Sequence, residues 1–385
     1  MSKKNQVYDY AAEEGGRAAP KPPKKKKKGT LGRVVRRFFL VLFTVIVLLL
    51  AALVLAANVI FNGPSPAAQV LLTQTLLEPS ATKWIPALFI GEDRVAEIKA
   101  GAGVTLTDEV SNTDQVVINR GNASGAAADE WADDPDGIRF EDYAGDTYNA
   151  HIMIVRDPSQ VYLGLSNYNG FSRDIPGKRI NQAMEDEGAL AAVNAGAFFD
   201  NGTTSPQVGS TPEGVVFSGG QCHWKTGAPP NDKGFVGFNT DDVLVVHTEN
   251  ISEAQAQELN IRDGCCFGPV LIMNGEPNME AYGRAGINPR TAIGQRADGA
   301  VVFVCIDGRQ IGSPGGSFAD VIDIMTEYGV VNACNMDGGS SSVMMYRDTL
   351  GKFGEAGALK MINNYSLLQS EPRRMPNYWM VRPAE

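Results

Sequence analysis

Twenty-four consecutive residues, 38–61, read FFLVLFTVIVLLLAALVLAANVIF and carry no formal charge. About 20 apolar residues are enough to take a helix across the hydrocarbon core of a bilayer. Thr44 and Asn58 are the only strongly polar side chains in the run. A lysine run at 24–28, with Arg33, Arg36 and Arg37, lies immediately before it. The positive-inside bias then sets the N-terminus in the cytoplasm and residues 62–385 on the other side of the membrane. A cleaved signal peptide has a shorter apolar region, about 7–15 residues, so 38–61 is expected to be a retained single-pass anchor.

Charge divides at the same place. Residues 1–37 hold twelve Lys or Arg against three Asp or Glu, a net +9, so within an overall −10 the rest of the chain carries −19. A basic tail on an acidic body fits two compartments. No aromatic residues interleave with the lysines, as a single-strand binder needs, so nucleic acid is not an expected partner. Residues 1–37 read as a disordered Lys/Pro-rich tail. The five cysteines are Cys222, Cys265, Cys266, Cys305 and Cys334. Cys305 and Cys334 sit in apolar strand-like runs and are expected to be buried thiols, a bridge between them being the alternative. With His151, His223 and His247 the only histidines, no histidine-rich zinc site is expected, and the reading calls for no metal or cofactor.

After the anchor, 67–77 and 81–90 look helical, as a membrane-proximal stalk, and 101–137 is rich in Asp, Asn, Gly and Ala, as a linker is. The stalk and linker together span 62–137, and the main domain is expected over 138–385. Residues 151–156 and 161–165 are short β-like runs split by Asp157-Pro158, a turn signal. A helix is expected at 181–187, followed by the strand-like LAAVNAG, with further strands at 243–246 and 269–273. No internal repeat is visible. The most readable stretch is 300–337. AVVFVCI (300–306) has the length of a buried strand and ends at Asp307-Gly308-Arg309. SFADVIDIMTEY places Phe318, Val321, Ile322, Ile324, Met325 and Tyr328 at helical spacing, with Ser317 as N-cap and Gly329 at C′. A second apolar run, 330–336, ends at Asp337. Strand, helix, strand makes a βαβ unit whose two strands are neighbours, parallel in one sheet. The fold class is therefore mixed α/β (α+β): a mixed sheet containing a βαβ unit, preceded by one transmembrane helix.

Parallel strands deliver their C-terminal ends to one edge, where sheet ligands bind. DGR at 307–309 and DGGSSS at 337–342 would then share a rim. Asp337 could be a catalytic carboxylate, a cation ligand or a turn residue. Gly338-Gly339 lets backbone approach a ligand and offer N–H donors to anionic oxygens, and Ser340, Ser341 and Ser342 could add hydroxyl contacts. No G-x-S-x-G surrounds these serines, so a serine-nucleophile elbow is not supported. Arg290, in NPRTAIG, offers a planar fork for phosphate or carboxylate, or a structural salt bridge. Asn194, at the end of AVN, could hold a sugar hydroxyl or cap a turn. Ser80-Ala-Thr-Lys83 and Lys225-Thr226-Gly227 fit two penicillin-binding signatures, but the S-D-N element between them is absent.

The series VNAGAFFD, PEGVVFSGG, FGPVLIMNGE, NPRTAIGQRADGAVVFVCIDGR, NACNMDGGSSSVMMY and PRRMPNYWMV, in this order over roughly 150–382, resembles the phosphodiester glycosidase family. That is the domain of N-acetylglucosamine-1-phosphodiester α-N-acetylglucosaminidase, the uncovering enzyme, and of bacterial exopolysaccharide-biosynthesis relatives. The resemblance implies hydrolysis of a sugar-1-phosphodiester. By motif position it carries over Asn194, Arg290, Thr291, Asp307, Arg309, Asp337, Gly338, Gly339, Ser341 and Arg373. The uncovering enzyme has a third glycine where this chain has Ser340. Asp307 and Asp337 are the expected catalytic pair, with Arg290, Arg309 and the Gly338-Gly339 amides on the phosphate. The substrate would be a sugar-phosphate or polysaccharide of wall or capsular material. Two rivals stand beside this reading: an idle glycan-binding or assembly factor, and a divalent-cation-dependent phosphoesterase using Asp307 and Asp337 as ligands.

Overall fold

The structure is a computed structural model that describes residues 30–78, 82–99, 106, 108–118, 131–199, 208–226, 234–284, 286–365 and 371–384. Most of the expected basic tail, much of the expected linker and Ser80 lie outside the described residues. Two units are distinguished, 1–57 and 58–385. The described residues of the first belong to a helix running Thr30–Asn62. Its stretch Val34–Asn62 is long and apolar enough to cross a membrane, with a mean hydropathy of 3.3 in its most apolar part.

The second unit is built on three sheets, two helices near its start and a few short helices on its faces. It is the mixed α/β fold expected. The seven-stranded sheet matters most. Its spatial order is Ile138–Ala144, Asn149–Val155, Val301–Ile306, Arg290–Arg296, Val330–Met336, Val270–Met273, Glu276–Pro277. Alternate residues of one strand serve its two faces. Phe303 and Cys305 join Met153, Val155, Ile293 and Met336 in a core shared with Trp379 and Val381 of the second sheet and Phe238 of the third. Val302, Val304 and Ile306 turn the other way and pack under Phe318, Val321, Ile322 and Met325 of the helix Phe318–Glu327. Both faces are covered, which is why 301–306 reads as an unbroken apolar run. That helix begins where Ser317 Oγ accepts the Asp320 N–H, and the Ser317 N–H donates in return to Asp320 Oδ2. It stops at Gly329, whose φ of +71° suits the C′ position.

One expectation needs correcting. The strands Val301–Ile306 and Val330–Met336 run parallel to each other, but they are not neighbours. Arg290–Arg296 lies between them and pairs antiparallel with both. A middle strand running the opposite way starts where its two neighbours end. Arg290 stands opposite Ile306, and Thr291 opposite Met336. Three chain segments therefore meet at one edge, rather than two.

The helices Pro66–Leu77 and Ile85–Lys99 fall near the expected positions, the second broken by Gly91 at φ +77°. Residues 108–118 do not stand apart from the domain. Ser111 N–H donates to the Val246 carbonyl, and Val117 N–H to that of Ala297. All five cysteines are free thiols, Cys305 and Cys334 fully buried.

Candidate active site

At the edge where those three segments meet lies a cavity of about 180 Å³. Pro289, Ile306, Asp307, Gly308, Arg309, Gly339, Ser340, Ser342, Asn363, Asn364 and Tyr365 line it. The turn after Ile306 is tight. A Cβ on Gly308 would fall 2.6 Å from the Pro289 backbone nitrogen, so only glycine fits. Arg309 follows in the left-handed region at φ +57°, its N–H donating to the Pro314 carbonyl. Its Nη2 reaches Asn288 Oδ1 at 3.1 Å. Gly339 also has positive φ, +63°, and a Cβ there would meet the Arg309 guanidinium at 2.9 Å.

Asp307 continues the strand's alternation onto the shared-core side. Its side chain is fully buried, with three polar contacts. Asn364 N–H gives one to Oδ1 at 2.9 Å, Asn364 Nδ2 one to Oδ2 at 2.7 Å, and His151 Nε2 lies 3.2 Å from Oδ2. Asp337 is half-buried, its backbone N–H donating to the Ala195 carbonyl. It is not among the lining residues, yet its charge acts on Arg309 and Tyr365, which are. Burial lowers the Arg309 pKa and the nearby Arg290 lowers it further, while Glu78 and Asp337 oppose them. A guanidinium stays charged regardless at neutral pH.

The remaining expected residues divide into two groups. Ser340 lines the cavity, and Arg373 Nη1 lies 3.3 Å from both Ser340 Oγ and Ser341 Oγ, stacked over the Phe198 ring at 5.0 Å. Tyr365 donates its hydroxyl to the Ser340 carbonyl at 2.6 Å, and the Arg373 N–H donates to the Tyr365 oxygen. Arg290, Asn194 and Thr291 instead lie behind the cavity wall. Opposite Ile306 in register, Arg290 shares the helix-covered face and stacks on Phe318 at 4.0 Å. Its fork is occupied: Glu78 accepts from Nη1 and Nη2 at 2.8 Å each, Gly286 O from Nη2 and Gly316 O from Nε. Of the two alternatives for this arginine, the salt bridge is the one formed.

Asn194 and Thr291 are fully buried. Thr291 Oγ1 donates to Asn194 Oδ1 at 2.8 Å, the Val343 N–H donates to the same oxygen, and Asn194 Nδ2 donates to the Asp337 carbonyl at 2.6 Å. This amide clamps the Asp337 strand end to its neighbours. The Gly339 N–H is likewise committed, to the Pro289 carbonyl at 2.9 Å, so that amide is not offered to an anion as expected. Gly338 sits tightly on the same carbonyl, 2.8 Å from its would-be Cβ. Ser342 Oγ, in the cavity wall, and Asn288 Nδ2, next to Pro289, are buried without a hydrogen-bond partner among the described residues. Buried polar atoms of this kind are normally satisfied, and a bound polar ligand would satisfy them.

Sequence reasoning missed Asn363, Asn364, Tyr365, His151 and Glu78. The first three follow a short edge strand, Leu359–Met361, with no apolar period to announce it. His151 left a signal: it is a buried polar side chain on the strand face that Met153 and Val155 also occupy.

A frame of three sheets thus carries a cavity lined by both a carboxylate and a guanidinium at one strand edge. Residues 187–382 match the family model NAGPA, phosphodiester glycosidase, and the chain belongs to the phosphodiester glycosidase family. The curated SPbeta prophage-derived uncharacterized protein YomE of Bacillus subtilis (strain 168) is 26% identical over 190 residues, 48% of this chain and 27% of that protein. The chain thus spans about a quarter of the length of that relative. Among solved structures, the zebrafish N-acetylglucosamine-1-phosphodiester alpha-N-acetylglucosaminidase catalytic domain, auto-inhibited by its pro-peptide, is similar at 22% identity and a TM-score of 0.49, over 64% of this chain and 82% of that one. A hypothetical protein from Synechocystis is similar at 16% identity and a TM-score of 0.41, over 64% and 61%.

Proposed function

We propose that residues 138–385 form a domain that hydrolyses a sugar-1-phosphodiester of the N-acetylglucosamine-1-phosphate kind, held outside the cell membrane by the helix at 38–61. The observation that carries this reading is one cavity in which Asp307, Arg309 and unpartnered Ser342 Oγ stand together. In the reaction, water attacks the anomeric carbon, the C1–O bond breaks, and its electron pair leaves with the phosphate. The attacking water gives its proton to a carboxylate. A phosphate monoester is already a good leaving group, so charge stabilisation matters more than protonation. Arg309 and Arg373, with Ser340, Ser341 and Ser342, would receive the phosphate. Asp337 is assigned to the sugar carbon. Asp307, held by Asn364 and His151, shapes the site. Asn194, Thr291, Arg290, Gly338 and Gly339 hold the frame. Wall or capsular glycans carry such linkages and suit a domain displayed beyond the membrane.

The test uses the full chain in detergent with a GlcNAc-1-phosphodiester or UDP-GlcNAc, following free sugar by chromatography. Release by wild type, reduced about 100-fold or more in Asp337→Asn, is expected. No release by wild type, or undiminished release by the variant, overturns the assignment.

A further inference from the structure

His151 stands in the strand Asn149–Val155, next to the strand that ends at Asp307. Each nitrogen of its ring faces a carboxylate. Nδ1 lies 2.7 Å from Asp142 Oδ1, and Nε2 lies 3.2 Å from Asp307 Oδ2. Asp142 comes from the neighbouring strand, directly opposite His151 in register, and its side chain is 88% exposed. The line of groups therefore runs from bulk water through Asp142 and a buried imidazole to a buried carboxylate, and from there to Asn364 in the cavity wall.

A neutral imidazole carries one donor and one acceptor. Between two carboxylates it would have to aim a lone pair at one of them. Only the imidazolium donates to both. Asp307 has the matching need, since a fully buried charge is stable only when paired or richly hydrogen-bonded. Among the described residues, its side-chain hydrogen-bond partners are His151 and Asn364, and His151 is the one that can bring a positive charge.

We propose that His151 is the positioning residue of this site: as an imidazolium it is the counter-ion of Asp307, and it fixes that carboxylate and Asn364 in the cavity wall. The inference rests on the glycosidase reading for its catalytic consequence, but not for the pairing itself. The titratable groups facing the ring are Asp142 on one side and Asp307 on the other, with Cys305 opposite it in register. Burial pushes the Cys305 thiol upward, so it stays neutral and adds no charge. Burial alone lowers the His151 pKa, and Asp307 followed by Asp142 raises it above the ordinary value. The pairing is therefore intact below the ordinary histidine value and loosens as pH rises through the raised His151 pKa. Removing Asp142 takes away one of the two supports and moves that transition to lower pH.

The experiment is a histidine titration by NMR on the full chain in detergent, labelled with 15N-histidine and assigned with His151→Gln. The expected result is an imidazolium signature with both nitrogens protonated, persisting above the ordinary histidine range and retreating to lower pH in Asp142→Asn. A ring that titrates at or below the ordinary value, or one indifferent to Asp142→Asn, overturns the pairing. In parallel, the pH profile of sugar release should lose its alkaline limb in His151→Gln and shift that limb acidward in Asp142→Asn. A profile unchanged in both variants overturns the positioning role. Wild type that releases no sugar at all refutes the glycosidase reading, while the titration still decides the pairing.

Discussion

Replacing Asn194 with alanine removes one amide that ties three segments together. Its oxygen accepts from Thr291 Oγ1 and the Val343 N–H, and its nitrogen donates to the Asp337 carbonyl. Asn194 and Thr291 are both fully buried, so bulk water cannot replace those bonds. An orphaned buried polar group costs about 1–3 kcal/mol. Three groups at the lower bound give about 3 kcal/mol, and a water admitted to the vacated space recovers part of anything beyond that. For a domain of this size the melting temperature should fall by roughly 6–12 °C. Thermal melting of the full chain, wild type beside Asn194→Ala, reads that shift. Sugar release measured well below both transitions should fall as well, because the carbonyl of Asp337 has lost its tether while the fold persists. Asn194→Asp keeps the shape but turns an acceptor toward that carbonyl, and it should do no better than alanine. A variant melting within about 2 °C of wild type would show that these bonds carry no net weight and that Asp337 is held by something else.

Arg290→Lys cannot reproduce the fork that serves Glu78, Gly286 and Gly316 at once. The bonds that a lysine ammonium cannot remake should cost roughly 2 kcal/mol, read by denaturant unfolding, and unchanged stability would mean that the fork carries no net weight. Ser317→Ala deletes an N-cap and should cost about 1 kcal/mol in the same assay with no effect on sugar release. His151, with its folded pKa raised, contributes stability that is fully present below about pH 6.5, the unfolded value. That contribution disappears as pH rises through the folded pKa. The melting difference between wild type and His151→Gln should therefore be largest below about pH 6.5 and shrink as pH rises through the folded pKa, and a difference that grows with pH contradicts the pairing. Sugar release should survive EDTA; its loss would transfer the assignment to the cation-dependent phosphoesterase.

What the sequence disclosed was set by how local each cause is. The run 300–337 could be read almost residue by residue, because strand burial, the Ser317 cap and the Gly329 stop are all decided within a few residues. The common edge for Asp307 and Asp337 followed from chain direction alone. What lay between them did not, because nothing in residues 290–296 says that they insert between two strands that follow them in the chain. That insertion decided the fate of Arg290, since standing opposite Ile306 puts its side chain under a helix. Its partner Glu78 lies 212 residues away in sequence, beyond any local pattern. Asn364 and His151 were hidden for the same reason, each meeting Asp307 across more than fifty residues.

The reversed middle strand has a consequence for how such a domain can diversify. It is laddered on both sides, over Arg290–Gln295 on one flank and Thr291–Arg296 on the other. Sliding it by a single position would invert every side chain along it and tear two hydrogen-bonded seams together. The mouth of the site, in contrast, is made by three turns hanging off that frame. New specificities can thus be written into the turns, by substitution or lengthening, while the scaffold that aims them stays locked.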